Sequence, residues 1–114
     1  MTFHDLFEEW LAYKSNLVNS NNTIVRHRQH YRKYFEPSKL DGKRIGLVND
    51  LLLETICNHI VRDYNMSRKE WNNVKTILNG MFDYALRKHY LTENPMQSVS
   101  IYVKYRQVIL SFLL

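Results

Sequence analysis

The stretch SRKEWNNVKTILNGMFDYALRKHY, residues 67–90, decides the fold because it carries the clearest helical pattern in the chain. Its apolar residues recur three or four positions apart, which places them on one face of an α-helix. That face comprises Trp71, Val74, Leu78, Met81 and Ala85, with Ile77 and Phe82 beside it. Ser67 followed by Glu70 three positions later is the pattern of a capping box. We therefore predict a helix from Ser67 to about Tyr90, closed by Asn94-Pro95.

Three further amphipathic helices precede it, over residues 3–18, residues 23–36 and from Asn49 to about Tyr64. Thr2 with Asp5 is an N-cap pattern for the first helix, and Pro37 ends the second. The apolar positions expected in the core are Phe3, Leu6, Phe7, Trp10 and Leu17, then Ile24, Tyr31 and Phe35, then Leu52, Leu53, Ile56, Cys57 and Ile60. Residues 38–48 form a connection.

The composition fits one small all-α domain. With 114 residues the chain has room for a single domain, and its 3 glycines and 2 prolines are too few for a turn-rich β fold. The sequence therefore predicts a four-helix bundle over residues 1–100. A single Cys57 excludes an internal disulfide, and we expect a reducing, cytoplasmic location with no membrane partner.

Residues 101–114 differ from the rest because they are apolar, with Lys104 and Arg106 as their only charges. Periodicity leaves three interpretations open: a strand, a fifth helix, or the beginning of a linker to a following domain. An exposed apolar tail favours aggregation. We therefore expect this chain or a neighbour to cover it.

No catalytic constellation is evident in the sequence. Cys57 lies among apolar residues and is interpreted as a buried structural thiol. His27 and His30 have a spacing that helical metal ligands can have, but no further ligand lies near them in the sequence. No Gly-rich phosphate loop is present. We expect no enzymatic activity, no metal and no cofactor.

Two helices carry cationic faces. The net charge of +5 is typical of proteins with an anionic partner, most often nucleic acid. Lys and Arg attract phosphates, Asn can bond base edges, and a helix fits the major groove. The candidate DNA-binding residues are Thr23, Arg26, Arg28, Arg32 and Lys33 on the second helix, and Arg68, Lys69, Asn72, Lys75, Thr76 and Asn79 on the fourth.

Composition alone leaves alternatives to DNA binding open. Charged helix faces are often simply solvated. A helical protein–protein interaction module whose apolar tail packs on a partner also fits the pattern, and a complete small enzyme is the third hypothesis. The acidic residues Asp5, Glu8 and Glu9 are gathered on the first helix. The two basic helices are therefore almost free of acid, which favours DNA binding.

Three stretches resemble the N-terminal core-binding (SAM-like) domain of tyrosine recombinases, the phage and conjugative-transposon integrase family. They are TFHDLFEEWL at residues 2–11, KRIGLVNDLLLETI at 43–56, and SRKEWNNVKTILNGMFDYALRKHYLTENPMQSV at 67–99. The second is similar to the family's "I-x-x-I-T-x-x-x-L-E" entry into its third helix. The third is similar to a Ser-led helix that continues into "F-x-x-A" and a closing "N-P".

The resemblance implies a four-helix bundle that docks on one side of core-site duplex DNA, with other recombinase protomers as further partners. It implies a role in DNA integration and recombination of a bacterial mobile element. In that family a separate domain carries the catalytic Arg, Lys, His-x-x-Arg and Tyr, and none of that set can be placed here. The resemblance therefore implies a binding domain rather than the whole enzyme.

Overall fold

The computed structural model of the protein describes residues 1–108 and confirms the all-α class. Within that part of the chain there is no β-strand, only an isolated antiparallel bridge between Thr2 and Arg44. The helices are α1 (Phe3–Ser15), α2 (Asn21–His30, continued by a π-helical turn over Tyr31–Phe35), α3 (Asp50–Asp63) and α4 (Arg68–Arg87). Short 3-10 turns lie at Ile45–Leu47 and Pro95–Ser98. No helix of the described chain is long and apolar enough to cross a membrane.

The predicted N-terminal caps are confirmed. The Thr2 hydroxyl accepts from the amide of Asp5, whose carboxylate accepts from the amide of Thr2, so the capping box is complete. Ser67 and Glu70 make the same reciprocal pair at α4. These caps satisfy amides that have no partner inside the helix, and alanine at such a position costs about 1 kcal/mol.

The predicted ends of two helices were too late. α1 stops at Ser15, so Leu17 lies beyond it with 64% of its surface exposed rather than in the core. α4 stops at Arg87 because His89 adopts the left-handed conformation, φ 61°, and the amide of Tyr90 bonds back to the carbonyl of Ala85. This is a Schellman cap with histidine in the usual place of glycine.

Asn94-Pro95 consequently begins a new element rather than ending α4. The Asn94 side chain accepts from the amide of Met96, and Pro95 opens the 3-10 turn Pro95–Ser98. Met96 is buried against the bundle. The sequence signal was correct for a helix stop, but α4 ends seven residues before Asn94, at Arg87, just ahead of the left-handed His89.

α1 packs closely on α4 at a glycine. A Cβ on Gly80 would lie 2.7 Å from Cζ2 of Trp10, so only glycine leaves room for the indole. Trp10 is 4% exposed, and its ring lies 5.3 Å from that of His27 on α2. One tryptophan therefore joins three helices and fixes how α2 lies beside α4.

The second helix differs most from its prediction. α2 itself buries no residue completely, and Ile24 is half-buried. The core residues Tyr31 and Phe35 come from the π-helical turn, where the amide of Glu36 bonds to the carbonyl of Tyr31 at 2.9 Å. A π turn holds one more residue than an α turn. It therefore rotates the side chains that follow His30 relative to those before it.

The described part of the tail, residues 101–108, forms neither strand nor helix and lies against α3 and α4, so neither of those two interpretations holds there. Asn58 is fully buried and bonds the carbonyl of Ser100 and the amides of Tyr102 and Val103. The amide of Arg106 bonds to the carbonyl of Met66, in the connection between α3 and α4. The expectations for residues 109–114 fall outside the described chain.

Candidate nucleic-acid interface

α2 and α4 both pack on α1, and between them lies an open cleft of about 200 Å³. Its lining brings together three of the predicted residues, Thr23, Arg26 and Thr76. Three further residues complete it: His27, His30 and Asn73. The structure thus places parts of both predicted basic helices on one continuous surface, which neither helical pattern alone required.

Asn73 is a lining residue that the sequence-based prediction missed. It is exposed and lies on the border of α4 that faces α2. Counted at about 100° per residue, it shares the side of Lys69 and Thr76. The adjacent pair Asn72-Asn73 was the only signal in the sequence, and it became informative only once the position of α2 was known.

The two cleft histidines are neutral bases in a cationic setting. Burial, reinforced by Lys14, His30 and Arg26, lowers the pKa of His27 to about 4. Burial, with Arg26 and Lys33, also lowers the pKa of His30. Nε2 of His27 and Nδ1 of His30 are buried and have no hydrogen-bond partner among residues 1–108.

The outer face of α4 carries the polar residues expected there. Asn72 and Thr76 are exposed, and Lys75 and Asn79 are half-buried. The Thr76 hydroxyl donates to the carbonyl of Asn72 at 2.9 Å, so its oxygen is left as an acceptor for an outside donor. Near the far end of this face, Asp83 accepts from the side chain of Asn94.

Arg28 is directed to α1 rather than to the cleft. Its guanidinium forms a two-pronged pair with the Glu8 carboxylate, at 2.9 and 2.7 Å, and lies over the ring of Phe7. Hydrogen bonding to Arg28 lowers the pKa of Glu8. Among the predicted DNA-binding residues, Arg28 therefore has the strongest internal partner and the least freedom to meet a ligand.

Arg32 and Lys33 lie within the π-helical turn and are both exposed. The Lys33 ammonium lies 5.3 Å from the ring of Tyr34 and 5.9 Å from that of Tyr64, on the side of α2 that faces α3. The turn thus separates Lys33 from Arg26, although the sequence pattern placed both on one face.

Arg68 and Lys69 lie at the first turn of α4, beside the tail. The guanidinium of Arg68 is 4.8 Å from the ring of Tyr105, and a depression there is also lined by Lys69 and Lys104. Arg106 pairs with Glu70, whose pKa falls to about 2 through its bonds to Ser67 and Arg106. The tail thus adds a cation to the α4 surface and neutralises its nearest acid.

The acidic side chains Glu8 and Glu9 of α1 form ion pairs or hydrogen bonds within the molecule. Glu8 pairs with Arg28 and approaches His4 at 3.3 Å. Glu9 accepts from the hydroxyls of Tyr84 and Tyr90. By contrast, no salt bridge within residues 1–108 involves Arg26, Arg32, Lys33, Arg68, Lys69 or Lys75. Glu8 and Glu9 therefore have partners within the molecule, while these six cations are available to an outside partner.

One known protein is similar to nearly the whole chain. The chain is 26% identical over 103 residues to "Tyrosine recombinase XerC-like" of Caldanaerobacter subterraneus subsp. tengcongensis. This distant similarity supports the tyrosine recombinase family. The match covers 90% of this chain and 26% of that protein, so the chain spans about a quarter of the recombinase it matches. No family model matches the chain, and no solved structure does.

Two largely buried tyrosines, Tyr31 and Tyr84, have hydroxyls that are bonded to carboxylates. Tyr31 donates to Asp41 at 2.7 Å, and its pKa is raised by burial and by that bond. Burial and the bond to Glu9 raise the pKa of Tyr84 to about 12. A nucleophile needs an activating base or a lowered pKa. The pKa of both hydroxyls is raised instead.

Proposed function

We propose that this chain is the core-site DNA-binding domain of a tyrosine recombinase and takes part in integration or recombination of a mobile element. On this proposal the chain binds duplex DNA, and the chemistry belongs to recombinase segments beyond the matched quarter. The single observation that carries it is the shared α2–α4 cleft, where Arg26, Thr23 and Thr76 meet on a surface whose cations form no salt bridge within residues 1–108.

The charge distribution supports phosphate contact as the main source of affinity. Arg26, Lys69 and Arg68 carry unpaired charge along one side of the bundle, and Asn72 and Asn73 stand between them on α4. Cations hold the backbone, while amides can reach base edges in the major groove. We expect weak, salt-sensitive binding by the isolated domain, with a dissociation constant of about 10⁻⁴–10⁻⁶ M for mixed-sequence duplex.

Charge reversal in the cleft tests this proposal. Arg26→Glu should weaken binding of a fluorescein-labelled duplex roughly tenfold and reduce the slope of log K against log[salt] by about 0.9, because one phosphate contact is lost. Lys39→Glu makes the same change in net charge at an exposed connection residue and serves as the matched control. Fluorescence anisotropy gives both quantities, and equal losses in the two variants would contradict a specific surface.

A helical protein–protein module is the second candidate function, favoured by an exposed apolar surface. Leu47 and Leu51 are 66% and 70% exposed at the entry to α3. Single exposed leucines are common, but two neighbouring ones are typical of a contact surface. This function predicts concentration-dependent association that Leu51→Lys abolishes and Arg26→Glu leaves intact, as measured by sedimentation velocity.

A further inference from the structure

The α2–α4 cleft contains two histidines whose chemistry the proposed function does not use. His27 and His30 lie three residues apart and line the cleft opposite Asn73 and Thr76 of α4. One nitrogen of each ring, Nε2 of His27 and Nδ1 of His30, is buried and has no hydrogen-bond partner in the part of the chain that the structure describes. Buried polar atoms are normally satisfied, so an unpaired pair beside a cleft calls for an explanation.

Cations lie near both rings, and no carboxylate of the described residues balances them. From α1, the Lys14 ammonium lies over the Trp10 ring, which in turn packs on His27. From α2 and the turn after it, Arg26 and Lys33 act on the rings. α4 contributes only the neutral Asn73 and Thr76. Protonation of either ring in the free protein would therefore add positive charge to a site that already repels it.

An anion in the cleft reverses that balance. A phosphodiester group beside Arg26 would supply the missing negative charge, and the favourable field would stabilise the imidazolium forms. Protonation also gives each ring a full positive charge, which attracts phosphate oxygens. The cleft, at about 200 Å³, has room for one such group and not for a base pair.

We propose that the α2–α4 cleft seats one DNA phosphate and that His27 and His30 take up protons when it does so, which makes duplex binding stronger in mild acid. This inference rests on the proposed DNA-binding function. It adds proton-linked regulation of the same surface, with the two histidines as the sensing groups. Arg26 attracts the phosphate at all pH values, whereas the histidines contribute only when protonated.

The expected size follows from linkage between protons and ligand. The pKa of His27 is about 4 in the free protein. If a phosphate restores that pKa to about 6.5, the ordinary value, affinity rises about tenfold between pH 7.5 and pH 5.5. His30 adds to this in the same direction because its pKa is also lowered in the free protein.

The test is a pH series of duplex affinity at constant ionic strength. The native chain should gain at least about tenfold between pH 7.5 and pH 5.5, and His27→Gln/His30→Gln less than about threefold. His59→Gln, on the exposed side of α3, is the matched control and should retain the full gain. Circular dichroism at each pH establishes that every variant is folded. A full gain in the double variant would overturn the proposal.

NMR titration of the two imidazoles in the native chain tests the same point without a mutation. The pKa of His27 and of His30 should rise when saturating duplex is added, and inorganic phosphate at equal ionic strength should raise them less. Unchanged values with bound duplex, or an equal rise with inorganic phosphate, would overturn the proposal while leaving DNA binding intact. No duplex binding at all would refute the proposed function together with this inference.

Discussion

Replacement of Asn58 by alanine should release the tail from the bundle. Asn58 is 0% exposed, and its amide makes four bonds. Its nitrogen donates to the carbonyls of Glu54 at 2.8 Å and Ser100 at 2.9 Å. Its oxygen accepts from the amides of Tyr102 at 2.8 Å and Val103 at 3.2 Å. Three of these bonds join α3 to the tail, and no apolar side chain can replace them.

The magnitude follows from those three bonds. Each contributes about 1 kcal/mol net, so Asn58→Ala should lower the free energy of unfolding by roughly 3 kcal/mol if the tail stays in place. If the tail lifts away, its freed groups bond to water and the loss is smaller, with about 2 kcal/mol as the lower expectation. Asn58→Asp should cost at least as much, because a buried carboxylate would face two carbonyl oxygens.

Hydrogen exchange and urea unfolding separate these outcomes. The amides of Tyr102 and Val103 should lose protection against exchange in Asn58→Ala. The protection of amides inside α4 should fall only as far as the global free energy of unfolding falls. His59→Ala, the next residue on α3 and exposed, is the matched control and should leave the tail amides protected. Unchanged protection of Tyr102 and Val103 in Asn58→Ala would refute the reasoning.

Three other predictions concern the core and its titration. Gly80→Ala should destabilise the fold by about 1–2 kcal/mol in urea unfolding, because overpacking against Trp10 exceeds the roughly 1 kcal/mol that alanine gains in helix propensity; greater stability would contradict the close contact. Cys57 should resist aromatic disulfide reagents until the chain unfolds, because burial raises its pKa to about 12; rapid labelling of the native chain would argue against this burial. The bond to Asp41 raises the pKa of His4, so its contribution to stability is full below about pH 6.5 and is lost as pH rises through the folded value. The difference in urea midpoint between the native chain and His4→Gln should therefore shrink as the pH rises from 5.5 to about 8.5. A difference that stays constant over this range would contradict the prediction.

Local signals made most of the fold predictable. The caps at Thr2, Asn49 and Ser67 depend on residues three positions apart, so the sequence contained all that was needed. The C-terminal ends of the helices were harder to predict, because Asn65 and His89 adopt the left-handed conformation that glycine usually adopts at such positions. No pattern of apolar residues indicates such an end.

The candidate site was only partly predictable for a different reason. The faces of α4 follow from one period, but Arg28 is directed by Glu8, twenty residues away in sequence, and Asn73 by the position of α2. The π-helical turn at Tyr31–Phe35 adds an extra residue to the helix, so a wheel drawn through residues 23–36 loses its phase midway. The assignment of contacts to DNA stays a prediction for every candidate residue.

The anchored tail provides a position at which a fluorescent dye can be attached. Gln107 is exposed and lies in the depression beside Arg68 and Lys69, at the edge of the proposed interface. A dye attached there through Gln107→Cys would stand next to docked DNA, while the buried Cys57 stays unlabelled. Energy transfer to an acceptor at either end of a duplex would then reveal the orientation in which the bundle sits on its target.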